Sequence, residues 1–322
     1  MLRTLLILFM GLTMTQLALA SPQLWQQAHQ GHFIGVDGMR LNYATLTQAN
    51  ARGAVVIASG RSEGYLKYHG LAKALLEQEL DVYIWDHRGQ GLSERLTRNP
   101  DMGHVERFDD YVADMTTFID TKVLPRKPKK LYLVGHSMGG AIGSLYLQHY
   151  PDTFDAAVFS APMYGIQLPG PRWALEPVLA MMARWNRLFG EPGYIPGGTD
   201  YEPKPFERNL LTQDADAYQD FLDLYQQIPE LQLGDPTNHW MLESFNAMDR
   251  IRSQAQRITT PTLVMQAGND AIVDNQVMES VVNASTNTSL LRLPNARHEL
   301  LIETPTIRRR VLSALTDWLQ RF

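Results

Sequence analysis

Short apolar runs rich in β-branched residues alternate along this chain with longer segments whose apolar residues recur at helical spacing. Ala54-Val55-Val56-Ile57-Ala58 and Asp81-Val82-Tyr83-Ile84-Trp85 read as strands buried on both faces, and Arg40–Leu46 and Lys130–Val134 as further strands. Between them, Leu66–Glu79 sets Leu71, Leu75 and Leu76 on one helical face. Phe108–Val123 does the same with Phe108, Tyr111, Val112, Met115, Phe118 and Ile119. A helix over Ser137–His149 and a strand over Asp155–Ser160 continue the series. Strands that alternate with helices predict an α/β fold, a mostly parallel sheet with helices on both faces.

The alternation stops after Met163. From Tyr164 to Arg250 the chain is rich in Pro, Trp, Tyr and Met, with helical pieces at Trp173–Leu188, Asp216–Gln227 and Asn238–Asp249 and no buried strand. It resumes with a strand at Pro261–Gln266, a helix near Asn275–Asn283, a strand at Ser289–Leu293 and a last helix, Thr306–Phe322. The organisation expected is a core from 21–163, a mainly helical cap over 164–254 and the rest of the core over 255–322. Trp173, Leu175, Val178, Leu179, Met181, Met182, Trp185, Leu188 and Phe189 offer the cap an apolar surface suited to packing on the core or to an acyl chain.

The first residues follow another pattern. Arg3 precedes the apolar run Leu5–Leu12, and Ala18-Leu19-Ala20 supplies small residues at a signal-peptidase site. Residues 1–20 thus read as a cleavable signal peptide that exports the chain to the periplasm or beyond; an uncleaved inner-membrane anchor is the alternative, although the run is short for a span. A net charge of −5 argues against a nucleic-acid partner. The absence of cysteine excludes disulfides, thiolate metal sites and a cysteine nucleophile.

Gly135-His136-Ser137-Met138-Gly139-Gly140 carries the chemistry. The run follows a strand and opens a helix, the setting of a G-x-S-x-G nucleophile elbow. Gly135 and Gly139 leave room for the sharp turn that exposes a serine hydroxyl, and the helix start brings free N–H groups to developing negative charge. A serine hydroxyl needs a base, and in this fold the order is Ser, then Asp or Glu, then His. His298, in a polar loop between the last strand and the last helix, is placed for the base. His239, beside Trp240, reads as packing or as a substrate contact. Asp270 lies just past the strand at Pro261–Gln266; Asp274 is its rival, with a helix N-cap as its other role. The backbone N–H of Met138 and that of Arg61, in the loop after Ala54–Ala58, are the expected oxyanion donors. The Arg61 side chain could pair with Glu63 or Asp86, or approach an anionic headgroup. Asp86–Gly91 reads as a strand end and glycine-rich turn that supports this loop.

Further stretches carry a family resemblance: Gly60-Arg61-Ser62-Glu63 with Lys67-Tyr68, Asp86-His87-Arg88-Gly89-Gln90-Gly91, Gly103-His104-Val105, His136–Ile142, Ser160-Ala161-Pro162-Met163, His239-Trp240 with Glu243-Ser244, Val273-Asp274-Asn275 and His298-Glu299. The chain resembles the monoglyceride-lipase and lysophospholipase branch of the α/β-hydrolases, and within it the bacterial lysophospholipases of the L-two type. The resemblance implies a triad of Ser137, Asp270 and His298, oxyanion donors at Arg61 and Met138, and inner-membrane association. Ser59-Gly60 stands where many members of the wider branch carry His-Gly, which favours the narrower match. The substrate implied is the ester of a single-chain lipid, a lysophospholipid first and a monoacylglycerol second, then a general carboxylic ester; an acyltransferase and a non-catalytic binding protein are the other classes. Peripheral membrane contact is expected, and neither a metal nor a cofactor is needed for hydrolysis through an acyl-enzyme.

Overall fold

The structure, a computed structural model, describes residues 20–322. The signal segment therefore lies outside the described residues, apart from Ala20, where the first helix begins. The strands are β1 (His29–Ile34), β2 (Arg40–Leu46), β3 (Gly53–Ala58), β4 (Leu80–Trp85), β5 (Leu131–His136), β6 (Ala156–Ser160), β7 (Thr262–Ala267) and β8 (Thr288–Leu293). They form one sheet in the order β1-β2-β4-β3-β5-β6-β7-β8. From β4 to β8 all neighbours are parallel, and β2 pairs antiparallel with β1 and β4.

The helices are α1 (Ala20–Gln26), α2 (His69–Leu76), α3 (Phe108–Phe118), α4 (Met138–His149), α5 (Arg172–Phe189), α6 (Ala215–Gln227), α7 (Asn238–Ser253), α8 (Asn275–Ala284) and α9 (Pro305–Leu319). Successive strand residues point to opposite faces, so β3 feeds two cores. Val55 and Ile57 pack with Leu71 and Leu75 of α2 and Val311 and Leu315 of α9. Val56 and Ala58 pack with Met115 of α3, Ile142 of α4 and Val281 of α8. Each fully buried Val, Ile or Leu contributes about 2 kcal/mol, which is why the two-sided runs appear as unbroken apolar sequence.

Between β6 and β7 the chain adds α5, α6 and α7 and no strand of the sheet. Of these, α7 joins the core through Phe245, Ala247, Met248 and Ile251. Helix α5 rests on it, with the Arg172 guanidinium 4.4 Å from the Phe245 ring and Leu179 as its buried residue.

Strand order places the site. After β3 the chain moves to β4 on one side, then returns to β5 on the other. Loops leaving the ends of β3 and β5 diverge to opposite faces and open a crevice, the topological switch point where open α/β sheets bind ligands. Arg61 and Ser137 leave the sheet at these two ends.

Candidate active site

Ser137 sits between β5 and α4 with φ 51 and ψ −115, a conformation that costs a non-glycine residue energy. Neighbouring bonds hold it there: its N–H donates to Ser160 O at 3.0 Å, and its carbonyl accepts from Met163 N–H at 2.9 Å. The flanking glycines answer a packing demand. A Cβ on Gly135 would lie 2.8 Å from Gly139 O, and one on Gly139 would run into the Ala58 carbonyl of β3.

Two later loops bring the partners. His298 follows β8, and its Nε2 lies 3.0 Å from Ser137 Oγ. Its Nδ1–H donates to Asp270 Oδ2 at 2.7 Å. Because an ionised carboxylate only accepts, this bond fixes the tautomer and leaves Nε2 free to take the serine proton. Asp270 is held in turn by Ile272 N–H at 2.8 Å and Val273 N–H at 3.0 Å, both on Oδ1. Asp274 does something else: it caps α8, accepting from Gln276 N–H at 2.8 Å and Val277 N–H at 3.2 Å.

Met138 is the first residue of α4, so its N–H is among the first-turn donors a helix leaves unpaired. In the loop after β3, Gly60 N–H is bonded to Glu63 and Ser62 N–H to Gln90, whereas Arg61 N–H has no partner among the described residues. The Arg61 side chain pairs with neither Glu63 nor Asp86. Its Nη2 donates to Gly234 O at 2.6 Å, its Nη1 to Ser62 Oγ at 3.1 Å, and its guanidinium lies 5.3 Å from the Trp240 ring centre. Burial draws its pKa down to about 10 against the pull of Asp235. The run from Asp86 props the same loop from below: His87 Nε2–H donates to Ser59 O at 3.1 Å, and Asp86 Oδ1 accepts Tyr65 N–H at 2.6 Å.

A cleft of about 680 Å³ opens over Ser137 and His298. Its apolar wall comes from Met163 and Ile166, from Tyr218, Phe221 and Leu222 of α6, from Trp240 and Met241 of α7, and from Ile272 and Val273. Two expectations are corrected here. The apolar residues of α5 do not line the cleft: Trp173, Met181, Trp185, Leu188 and Phe189 face outward, 62–79% exposed. His239 lies outside it too, its Nε2 bonded to Glu106 O at 2.8 Å and its ring 5.5 Å from that of His104. A single residue step decides this, since successive residues of α7 face 100° apart and Trp240 takes the inward position.

The structure adds a buried cluster behind the nucleophile that the sequence pattern does not reveal. Glu63, Lys67, Tyr68, His136 and Glu299 are each less than a tenth exposed. Lys67 Nζ pairs with Glu63 and, at 2.7 Å, with Glu299 Oε1. Glu63, His136 and Glu299 could present three metal ligands, but the Lys67 ammonium already supplies a cation between the carboxylates. The signal available is the i,i+4 spacing of Glu63 and Lys67, which marks a pair without saying that it is buried.

A serine on a strained strand-to-helix turn, backed by a histidine and an aspartate from later loops of a mostly parallel sheet, is the architecture of an α/β-hydrolase. The chain belongs to the Hydrolase_4 family, described as serine aminopeptidase, S33, which it matches over residues 49–305. It is 36% identical over 304 residues to lysophospholipase L2 of Escherichia coli, covering 92% of this chain and 89% of that one. It is 28% identical over 302 residues to a monoacylglycerol lipase of Mycolicibacterium smegmatis, covering 89% and 95%. Among solved structures, a soluble variant of monoglyceride lipase from Saccharomyces cerevisiae in complex with a substrate analogue superposes with a TM-score of 0.72 at 18% identity, over 91% of this chain and 94% of that one.

Proposed function

We propose that this hydrolase cleaves the acyl ester of single-chain lipids, lysophospholipids first, through an acyl-enzyme on Ser137. The observation that carries the reading is the continuous row from Ser137 Oγ to His298 Nε2 at 3.0 Å and from His298 Nδ1 to Asp270 Oδ2 at 2.7 Å, at the floor of a cleft with an apolar wall. Ser137 Oγ attacks the ester carbonyl while its proton passes to His298 Nε2, and Asp270 stabilises the imidazolium. The tetrahedral oxyanion accepts from Arg61 and Met138 N–H, each donor being worth roughly 3 kcal/mol in the transition state. Collapse of the intermediate breaks the bond to the glycerol oxygen, which leaves with the His298 proton. Water, deprotonated by His298, then attacks the acyl-enzyme and releases the fatty acid.

The E. coli relative supports the lysophospholipid, and the monoacylglycerol lipases support monoacylglycerol as the second reading. No helix among the described residues is long and apolar enough to cross a membrane. The exposed apolar face of α5, with Arg184 and Arg187 on the same helix, supports a peripheral contact with an anionic lipid surface. The signal pattern in residues 1–20 supports a location for this contact on the outer side of the inner membrane.

Purified protein assayed on palmitoyl-lysophosphatidylcholine, monoolein, p-nitrophenyl esters of rising chain length and an aminoacyl p-nitroanilide tests the reading. Turnover of the lysophospholipid, with kcat/KM rising at least tenfold from butyrate to dodecanoate, is expected, because each buried methylene contributes about 0.8 kcal/mol. Turnover confined to acetate and butyrate esters, or to the anilide, overturns it.

A further inference from the structure

The donor Arg61 N–H belongs to the Gly60–Arg61 peptide, and the protein grips that peptide from behind. Gly60 O accepts from Gln90 Nε2 at 2.7 Å. Peptide planarity then turns the Arg61 N–H away from Gln90, since carbonyl and N–H of one trans peptide point in opposite directions. The preceding N–H is fixed as well: Gly60 N–H donates to Glu63 Oε2 at 2.6 Å and to the Tyr68 hydroxyl oxygen at 3.1 Å. Gln90 Nε2 also reaches Glu63 O at 2.9 Å, so one amide closes the loop on itself.

Glu63 is anchored in its turn. Lys67 bridges it to Glu299, the residue after His298. His136, the residue before Ser137, lies against the same two carboxylates. Its Nδ1 lies 3.1 Å from Ser160 O and its Nε2 3.3 Å from Glu299 Oε1, so both nitrogens face acceptors, which suits the doubly protonated ring. Burial alone would lower the His136 pKa, but Glu299 and Glu63 outweigh it and hold it above the ordinary histidine value. The rings of His136 and His298 lie 4.9 Å apart. One buried network therefore touches the donor loop, the residue before the nucleophile and the residue after the base.

We propose that Gln90, Glu63 and Tyr68 are positioning residues that hold the Gly60–Arg61 peptide with its N–H toward the oxyanion, and that Lys67 and Glu299 register this loop against His298. The proposal rests on the esterase reading above and adds the source of its oxyanion geometry. A positioning role predicts a loss confined to the transition state, because the ground-state ester does not need the donor.

The test uses the full protein and a soluble p-nitrophenyl ester. Gln90→Met is expected to lower kcat 10- to 100-fold with KM within threefold. It should weaken a trifluoromethyl ketone inhibitor, whose adduct puts an oxyanion in the hole, by the same factor. Tyr68→Phe, which leaves the buried charges intact, is expected to lower kcat three- to tenfold with the same split, and it decides the matter if Gln90→Met does not fold. A folded variant with wild-type kcat, a loss carried by KM alone, or ketone affinity unchanged while kcat falls overturns the proposal. An alkyl fluorophosphonate keeps the two claims apart: labelling of Ser137 in variants with wild-type kcat sinks only the positioning role, whereas no labelling of Ser137 in the wild type sinks the esterase reading.

Discussion

In the proposed mechanism Ser137 reacts only if His298 takes its proton, and His298 is useful only in the tautomer that Asp270 fixes. Residues that act as one unit lose activity together. Ser137→Ala and His298→Ala are each expected to lower kcat by roughly 10⁴- to 10⁶-fold, with the double variant no worse than the single ones. Asp270→Asn should cost roughly 10³- to 10⁴-fold. Asp274→Ala separates the two aspartates, because its carboxylate caps α8 and touches no reacting group. It should cost about 1 kcal/mol of stability, about 2 °C in melting temperature, and leave kcat within twofold. Much of this site is legible in the sequence, since an elbow and a chain order name residues directly. The buried Glu63–Lys67–Glu299 pairs are not, because Glu299 comes from a loop more than two hundred residues away and charged residues read as surface until packing covers them.

At the scale of elements, the strands buried on both faces are legible because nearly every residue in them is apolar. Strand β1 is not: of its six residues only Phe33 is buried, so no alternation marks it. The spacing over Phe108–Val123 predicts one helix, and the chain is helical over that span, with α-turns to Phe118 and a π turn over Ile119–Val123 that spacing does not reveal. The apolar spacing of α5 marks a helix, yet spacing cannot say which way the apolar face looks. Here it looks outward, so α6 and α7 line the cleft and the α5 face stays exposed, the face assigned above to the proposed lipid contact. Replacing Trp185 and Phe189 with Ser should reduce sedimentation with vesicles of phosphatidylglycerol at least fivefold and leave turnover of a soluble p-nitrophenyl ester within twofold. Unchanged vesicle binding would assign that face another role.

At the scale of the whole molecule, a sheet whose strand order reverses at β3 sets the crevice, and buried polar groups under it set how stability answers to pH. His87 is fully buried, with Nε2–H on Ser59 O and no partner for Nδ1 among the described residues. Burial lowers its pKa from 6.5 to about 4. The ring stays neutral in the fold while the unfolded chain takes a proton, so its contribution is present above pH 6.5 and is lost as pH falls toward 4. Neighbouring Asp86 opposes it: burial raises its pKa to about 7, so its contribution is lost as pH rises from the ordinary carboxylate range. The stability difference between wild type and His87→Asn, from urea unfolding, should therefore grow by about 3 kcal/mol from pH 4 to pH 7, since a tenfold difference in proton affinity between fold and unfolded chain is worth about 1.4 kcal/mol. A difference independent of pH would show that His87 takes a proton as readily in the fold as in the unfolded chain.

Covalent labelling followed by turnover tests whether Ser137 forms the acyl-enzyme in lipid ester hydrolysis. The protein is treated with a dodecyl fluorophosphonate, the adduct is mapped by peptide mass spectrometry, and the same sample is assayed on palmitoyl-lysophosphatidylcholine. One adduct on Ser137, with turnover lost in proportion to labelling, is the result predicted. An adduct on another residue, or full turnover after Ser137 is labelled, would show that Ser137 does not carry the acyl group.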